Sequence, residues 1–137
     1  EAFYWRDETG VAFHRSGDIG RFDEDGFLVL LDRKKDLIIS GGFNIYATDL
    51  ESVTASHPDV ADVAVIGIPS EQWGETPLAL VVRKPGGTVD AETLREWVNA
   101  RVGRTQRLSA VEFRDELPRS ALGKLLKREL REPYWKK

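Results

Sequence analysis

Lys124 closes the run Leu117-Pro118-Arg119-Ser120-Ala121-Leu122-Gly123-Lys124, where proline, serine and glycine mark a turn. An ammonium on a flexible stem, presented at such a turn, can enter a site and touch a carboxylate and a phosphate together. In-line attack of a carboxylate on a phosphate builds negative charge, and a placed cation lowers that barrier by a few kcal/mol. The spacing equally fits a solvated lysine. Asp18, in Ser16-Gly17-Asp18, can accept both hydroxyls of a ribose, as an acid does in dinucleotide folds, or can form an ordinary Asx turn. The Gly41-Gly42 pair lets backbone approach a thin ligand closely, or simply turns a hairpin. Trp73, in the polar stretch Glu71-Gln72-Trp73-Gly74-Glu75, is placed to stack a base.

The elements that must position these residues follow from periodicity. Ile19–Phe22 and Phe27–Leu31, joined by the turn Asp23-Glu24-Asp25-Gly26, predict a hairpin. Asp32-Arg33-Lys34-Lys35-Asp36 then interrupts two apolar runs, a solvated charged joint ahead of Leu37-Ile38-Ile39. Thr48-Asp49-Leu50-Glu51 reads as a capping box opening a helix to about Ser56, with Leu50 and Val53 inward. Strands are expected over Val60–Ile68, ending at Pro69, and over Leu78–Val82. Asp90 caps a helix whose stripe is Leu94, Trp97, Val98 and Val102. Ala110–Phe113 alternates as a strand. Leu122, Leu125, Leu126 and Leu130 predict a last amphipathic helix bearing Lys124, Lys127, Arg128 and Arg131. The aromatic-rich residues 1–15 have no clean period. The expected class is α+β, a small domain with helices packed on a mostly antiparallel sheet.

Composition narrows the function. With 137 residues and 41% hydrophobic content there is one domain, or one plus part of another. No apolar run approaches a membrane span and no signal-peptide pattern opens the chain. The absence of cysteine excludes thiol catalysis and fits a cytoplasmic location. A chain beginning at Glu1 without any methionine is expected to be a segment of something longer. Residues 1–100 hold 9 Lys+Arg against 18 Asp+Glu, and residues 101–137 hold 11 against 5. A basic tail on an acidic body fits an anionic partner, or a solvated basic helix.

The segment from Asp32 to Ile45, with Ser16-Gly17-Asp18 before it and Leu117–Lys124 after it, resembles the carboxy-terminal part of the adenylate-forming enzymes. The nearest branch is the acyl-CoA synthetases, and the three motifs span nearly the whole chain in the family's order. The resemblance implies that residues 1–34 are the tail of a large N-terminal domain. Residues 35–137 would be a mobile C-terminal domain that turns on a hinge near Lys35. It implies ATP and CoA as cosubstrates, a small carboxylate as substrate, and Mg²⁺ with the ATP, although no ligands for the ion are evident. Lys124 matches the family's catalytic lysine of adenylation, and Asp18 and Arg33 match its ribose contacts. Gly41, Gly42, Phe43 and Asn44 match a loop lining the pantetheine tunnel, and Trp73 matches a residue stacking the CoA adenine. Arg107 falls where related enzymes bind CoA phosphate, but Thr105 and Leu108 depart from the aromatic and proline common there. Such a segment by itself is expected to be inactive. The alternatives are a domain loading a carrier protein's phosphopantetheine, a non-catalytic module docking nucleic acid on its basic C-terminal face, and a regulatory domain acetylated at Lys124. No nucleic-acid partner is expected on the main reading.

Overall fold

The computed structural model describes residues 4–136. The chain divides at Lys35 into two units.

The first unit is two hairpins. Strands β1 (Tyr4–Arg6) and β2 (Ala12–His14) pair antiparallel, with Trp5 opposite Phe13 and the two rings 5.3 Å apart. Three-residue strands carry no readable period, so this hairpin was not foreseen. Strands β3 (Asp18–Phe22) and β4 (Leu28–Arg33) form the expected second hairpin, with a register shift at Ile19/Gly20. Its turn is closed by the Asp23 carboxylate, which accepts the amides of Asp25 and Phe27 at 3.0 and 2.8 Å. The charged joint begins within β4, at Asp32 and Arg33, and continues as a 3-10 turn over Lys34–Asp36.

The second unit is a five-stranded sheet with helices on both faces. Strands β5 (Ile38–Ser40) and β6 (Phe43–Ile45) flank the glycine pair, and helix α1 (Ala47–Ala55) follows. Strands β7 (Val60–Ser70) and β8 (Gly74–Arg83) form a long antiparallel pair; then come α2 (Ala91–Asn99), β9 (Ala110–Phe113) and α3 (Lys127–Trp135). The sheet order is β6-β5-β8-β7. Strand β9 runs parallel to β8, Leu78–Val81 against Ala110–Phe113, and the other pairings are antiparallel.

Strand alternation sorts the core into two layers. Val63 and Val65 of β7 and Ala79 and Val81 of β8 meet Leu50 of α1 and Leu94 and Val98 of α2. Ala64, Ile66, Leu78 and Leu80 face the other way, against Leu117, with Leu125, Leu130 and Tyr134 packed over them. Burying a Leu or Val side chain is worth about 1.5–3 kcal/mol, so these two layers hold the sheet between α1/α2 and α3.

The free edge of β7 is covered by side chains. The Val63 amide donates to Asp62 Oδ1 (2.9 Å), the Val65 amide to Glu51 Oε1 (2.8 Å), and Trp135 Nε1 donates to the Gly67 carbonyl (2.9 Å). Edges left with open backbone groups invite intermolecular pairing.

Several expected boundaries move. Helix α1 starts at Ala47 with Tyr46 as N-cap and no side-chain cap bond, so Thr48 lies inside the first turn rather than at the cap. The Glu51 carboxylate takes the Val65 amide and the Lys127 ammonium (2.6 Å). Strand β7 runs past Pro69 because an edge position needs no outward N–H. Helix α3 begins only at Lys127, which leaves Leu122 and Lys124 in the turn ahead of it. That turn is closed by its own backbone bonds and by the bridge between Arg119 and Leu125, and residues already bonded this way do not enter the helix. Asp90 caps α2 as expected, accepting from the Thr93 amide and hydroxyl at 2.9 and 2.7 Å.

Candidate functional site

A cleft of about 330 Å³ opens in the second unit where the sheet leaves β8 unpaired. Strand β7 occupies one side of β8 throughout. On the other side β5 touches β8 only at Ser40–Gly74, and β9 joins from Leu78 onward. The gap exposes Thr76, and the cleft is walled by Gly41, Phe43 and Trp73 on one side and Arg104, Arg107 and Ser109 on the other. The Ser109 amide and hydroxyl both donate to the Pro77 carbonyl (2.9 and 2.8 Å), which fixes the mouth of β9.

Trp73 ends a three-residue turn between β7 and β8 and is half exposed. Its amide donates to Ser70 Oγ at 3.2 Å and its carbonyl accepts the Gly41 amide at 2.9 Å. Gly41 has φ +55°, and Trp73 covers the space that a Cβ would need. The glycine therefore serves both its own left-handed backbone and the indole's seat. Gly42 (φ +83°) completes the turn but does not line the cleft. Asn44 pairs with Ile39 across β5 and β6 and does not line it either.

The opposite wall is held by Asn99 at the end of α2. Its side chain accepts the Leu108 amide (2.7 Å) and donates to the Leu108 carbonyl (3.0 Å), and Leu108 itself is buried. This anchors the segment bearing Arg107 and the 3-10 turn Arg104–Gln106. Arg104 escaped the sequence reading. The signal was its spacing of three from Arg107, just beyond the 3-10 turn, and both cations line the cleft. Two aromatic rings and two guanidinium groups around one cleft have the chemistry to take a flat ring carrying phosphates.

In the first unit, Asp18 and Arg33 are cross-strand partners, with Nε 3.6 Å from Oδ1. Ser16, Gly17, Arg33, Lys34 and Lys35 line an open depression of about 570 Å³ beside them. The Lys34 amide donates to the Gly17 carbonyl at 2.7 Å, tying the joint to that wall. Lys35 sits within the 3-10 turn at the division between the units.

Lys124 is exposed and does not line the cleft. Its carbonyl accepts the Ser120 amide at 2.8 Å and its amide donates to Ser120 Oγ at 3.2 Å. Its ammonium pairs with no carboxylate among the described residues. Other C-terminal cations are paired within the chain: Arg114 with Glu112, Arg119 with Asp62, Lys127 with Glu51, Arg131 with Glu75 and Lys136 with Glu132. Three of these pairs, from Arg119, Lys127 and Arg131, tie the C-terminal segment to β7, α1 and β8. Among the described residues no group of three or more His, Cys, Asp or Glu is arranged to hold a metal. No helix among them is long and apolar enough to cross a membrane.

This α+β architecture with its split sheet is that of the AMP-binding enzyme C-terminal domain, whose family matches residues 49–124. The chain belongs to that family. It is 48% identical to 2-succinylbenzoate–CoA ligase of Geobacillus kaustophilus, with 85% of this chain and 24% of that protein covered. It is 42% identical to long-chain-fatty-acid–CoA ligase FadD13 of Mycobacterium tuberculosis, covering 96% and 27%. Among solved structures, ATP-bound MatB from Rhodopseudomonas palustris superposes with a TM-score of 0.84 at 38% identity, covering 94% of this chain and 25% of that one. The chain spans about a quarter of the length of each.

Proposed function

We propose that this chain is the C-terminal part of an ATP-dependent acyl-CoA ligase, with residues up to about Lys34 belonging to the end of a larger adenylate-forming domain. In the first step a carboxylate oxygen attacks the α-phosphorus of ATP, the bond to pyrophosphate breaks, and acyl-adenylate forms. In the second, the CoA thiolate attacks the acyl carbon and AMP leaves. Lys124 supplies the cation for the first step, placed against the substrate carboxylate and the α-phosphate. Asp18 and Arg33 hold the ribose. In the second step Trp73 stacks the CoA adenine, Arg104 and Arg107 take its phosphates, and Gly41, Gly42, Phe43 and Asn44 border the pantetheine path. The cytoplasm is the compartment this chemistry fits.

The observation that carries the reading is the placement of the two candidate sites on the domain. The Lys124 turn is rooted by Leu117 and Leu125 on the α3 layer, whereas the cleft is backed by Leu108 in the α1/α2 layer. The two sites lie on different layers of the domain, which supports a reorientation of the domain between the half-reactions, with Lys35 as the pivot. The names of the relatives support a CoA acceptor, and two guanidinium groups in the cleft suit a phosphorylated nucleotide better than a bare phosphopantetheine arm.

The test separates the half-reactions in the enzyme that carries this chain with its adenylate-forming domain. Lys124→Ala should cut acyl-adenylate formation by about a hundredfold or more while thioester formation from supplied acyl-adenylate persists. Undiminished acyl-adenylate formation rejects the assignment. A carrier-protein thiol accepted in preference to free CoA would shift it to a carrier-loading domain.

A further inference from the structure

The geometry points to Arg119 and Asp62 as positioning residues for Lys124. The inference rests on the reading of Lys124 as the acting cation. Arg119 reaches across the turn that presents the lysine. Its Nη1 donates to the carbonyl of Gly123, in the peptide that joins Gly123 to Lys124, at 2.9 Å. Its Nη2 donates to Asp62 Oδ2 on β7 at 2.7 Å. The other Asp62 oxygen accepts the Val63 amide at 2.9 Å, so the carboxylate is itself fixed to the strand.

The other polar bonds of the turn are local. The Gly123 amide donates to the Ser120 carbonyl (2.8 Å), the Ser120 amide to the Lys124 carbonyl (2.8 Å), and the Leu126 amide to the Pro118 carbonyl (2.9 Å). These close the loop without saying where it points. The guanidinium fork supplies the direction, because two donors in one rigid plane lock the Gly123–Lys124 peptide to strand β7. Gly123, at φ +80°, is where the backbone would swing if that lock were released.

Both side chains of the ion pair are partly exposed, 41% for Arg119 and 33% for Asp62. Pairs of that kind add little to global stability. Removing this one therefore leaves the fold standing and loosens the turn, and a displacement of about 1 Å at a reacting group costs up to about a hundredfold in rate.

The experiment measures the two half-reactions separately in the enzyme carrying this chain with its adenylate-forming domain. Arg119→Ala should lower kcat for acyl-adenylate formation about tenfold to a hundredfold. The KM for ATP should change little, and thioester formation from supplied acyl-adenylate should stay within about twofold of the parent. Asp62→Asn keeps an acceptor for Val63 and weakens only the charge, so its loss should be smaller and confined to the same step. In the 137-residue chain, ¹⁵N relaxation should show Ser120–Lys124 loosened by Arg119→Ala while β7 and β8 stay as rigid as before. Equal losses in both half-reactions, undiminished adenylation, or an unchanged turn would each overturn the positioning role. Lys124→Ala is the control: if it spares adenylation, the reading of Lys124 fails, whereas a dead Lys124→Ala beside a fully active Arg119→Ala rejects the positioning role alone.

Discussion

A Cβ placed on Gly41 would stand 2.8 Å from Cε3 of the Trp73 indole, closer than such atoms approach in proteins. Trp73 thus rests on a bare stretch of backbone, which fixes one wall of the cleft. Gly41→Ala carries two penalties, the displaced ring and a side chain at φ +55°. The left-handed backbone alone costs about 1–2 kcal/mol. The substitution should lower the thermal midpoint and weaken CoA binding about tenfold, followed by quenching of tryptophan fluorescence. Unchanged CoA affinity would show that the ring's seat is irrelevant to the ligand.

Arg104→Gln and Arg107→Gln should each raise the KM for CoA, with acyl-adenylate formation unaffected. A charge-assisted bond is worth about 1.5–3 kcal/mol, or roughly tenfold to a hundredfold in KM. Equal effects on both half-reactions would place these cations outside the acceptor site.

Asp18→Ala should raise the KM for ATP while scarcely altering stability. Its pair with Arg33 is open to solvent, at 3.6 Å and with the arginine half exposed, and exposed pairs contribute under about 1 kcal/mol. Steady-state kinetics and a thermal melt on the same sample separate the two effects.

Asp59 joins the β7 and β8 ends to the loop before α2. The Val89 and Thr88 amides both donate to its carboxylate at 2.9 Å, and with the nearby His57 and Arg83 charges they hold its pKa below the usual Asp range. Asp90 is lowered likewise, by the Thr93 amide and hydroxyl. A depressed folded pKa means that the unfolded chain binds more protons in that window. The stabilisation is therefore complete above about pH 4 and is lost as pH falls through the lowered values. Asp59→Asn should lower the melting temperature at pH 7 and flatten its decline below pH 4. A parallel acid limb in the variant would assign the acid sensitivity elsewhere.

Glu75 is a joint between layers. Its Oε2 accepts the Ile39 amide at 2.9 Å and its Oε1 the Arg131 guanidinium at 3.2 Å, and its side chain fills the space over Gly67, where a Cβ would overlap the carboxylate. Gly67→Ala should destabilise the domain by about 1–3 kcal/mol, read by urea denaturation, and should cost Trp135 its bond to the Gly67 carbonyl. A variant as stable as the parent would mean that Glu75 reorients freely.

Local pattern carried a good share of the fold. The Asp23 turn, the Asp90 cap with its Leu94–Val98 stripe, and the alternation of β7 and β8 depend on neighbours within a few residues, and the sequence spells them out. Motif spelling likewise picked out Gly41, Phe43, Trp73 and Arg107, and the structure brings these four to one cleft. Asp18 and Arg33 meet as cross-strand partners, while Gly42 and Asn44 stay outside the cleft.

What the chain alone determined was most of the longer elements and the residue types able to handle a nucleotide, while the short strands β1, β2 and β6 left no readable period. What only tertiary structure decided was the cleft itself, which exists because β9 joins β8 in parallel from a distant segment and leaves Thr76 uncovered. Pairings between residues tens of positions apart leave no period in the sequence, since their register is set by packing on both faces of the sheet. For the same reason Arg104 gained its meaning, and Lys124 its place in a pinned turn ahead of α3, only once the strands had been assembled.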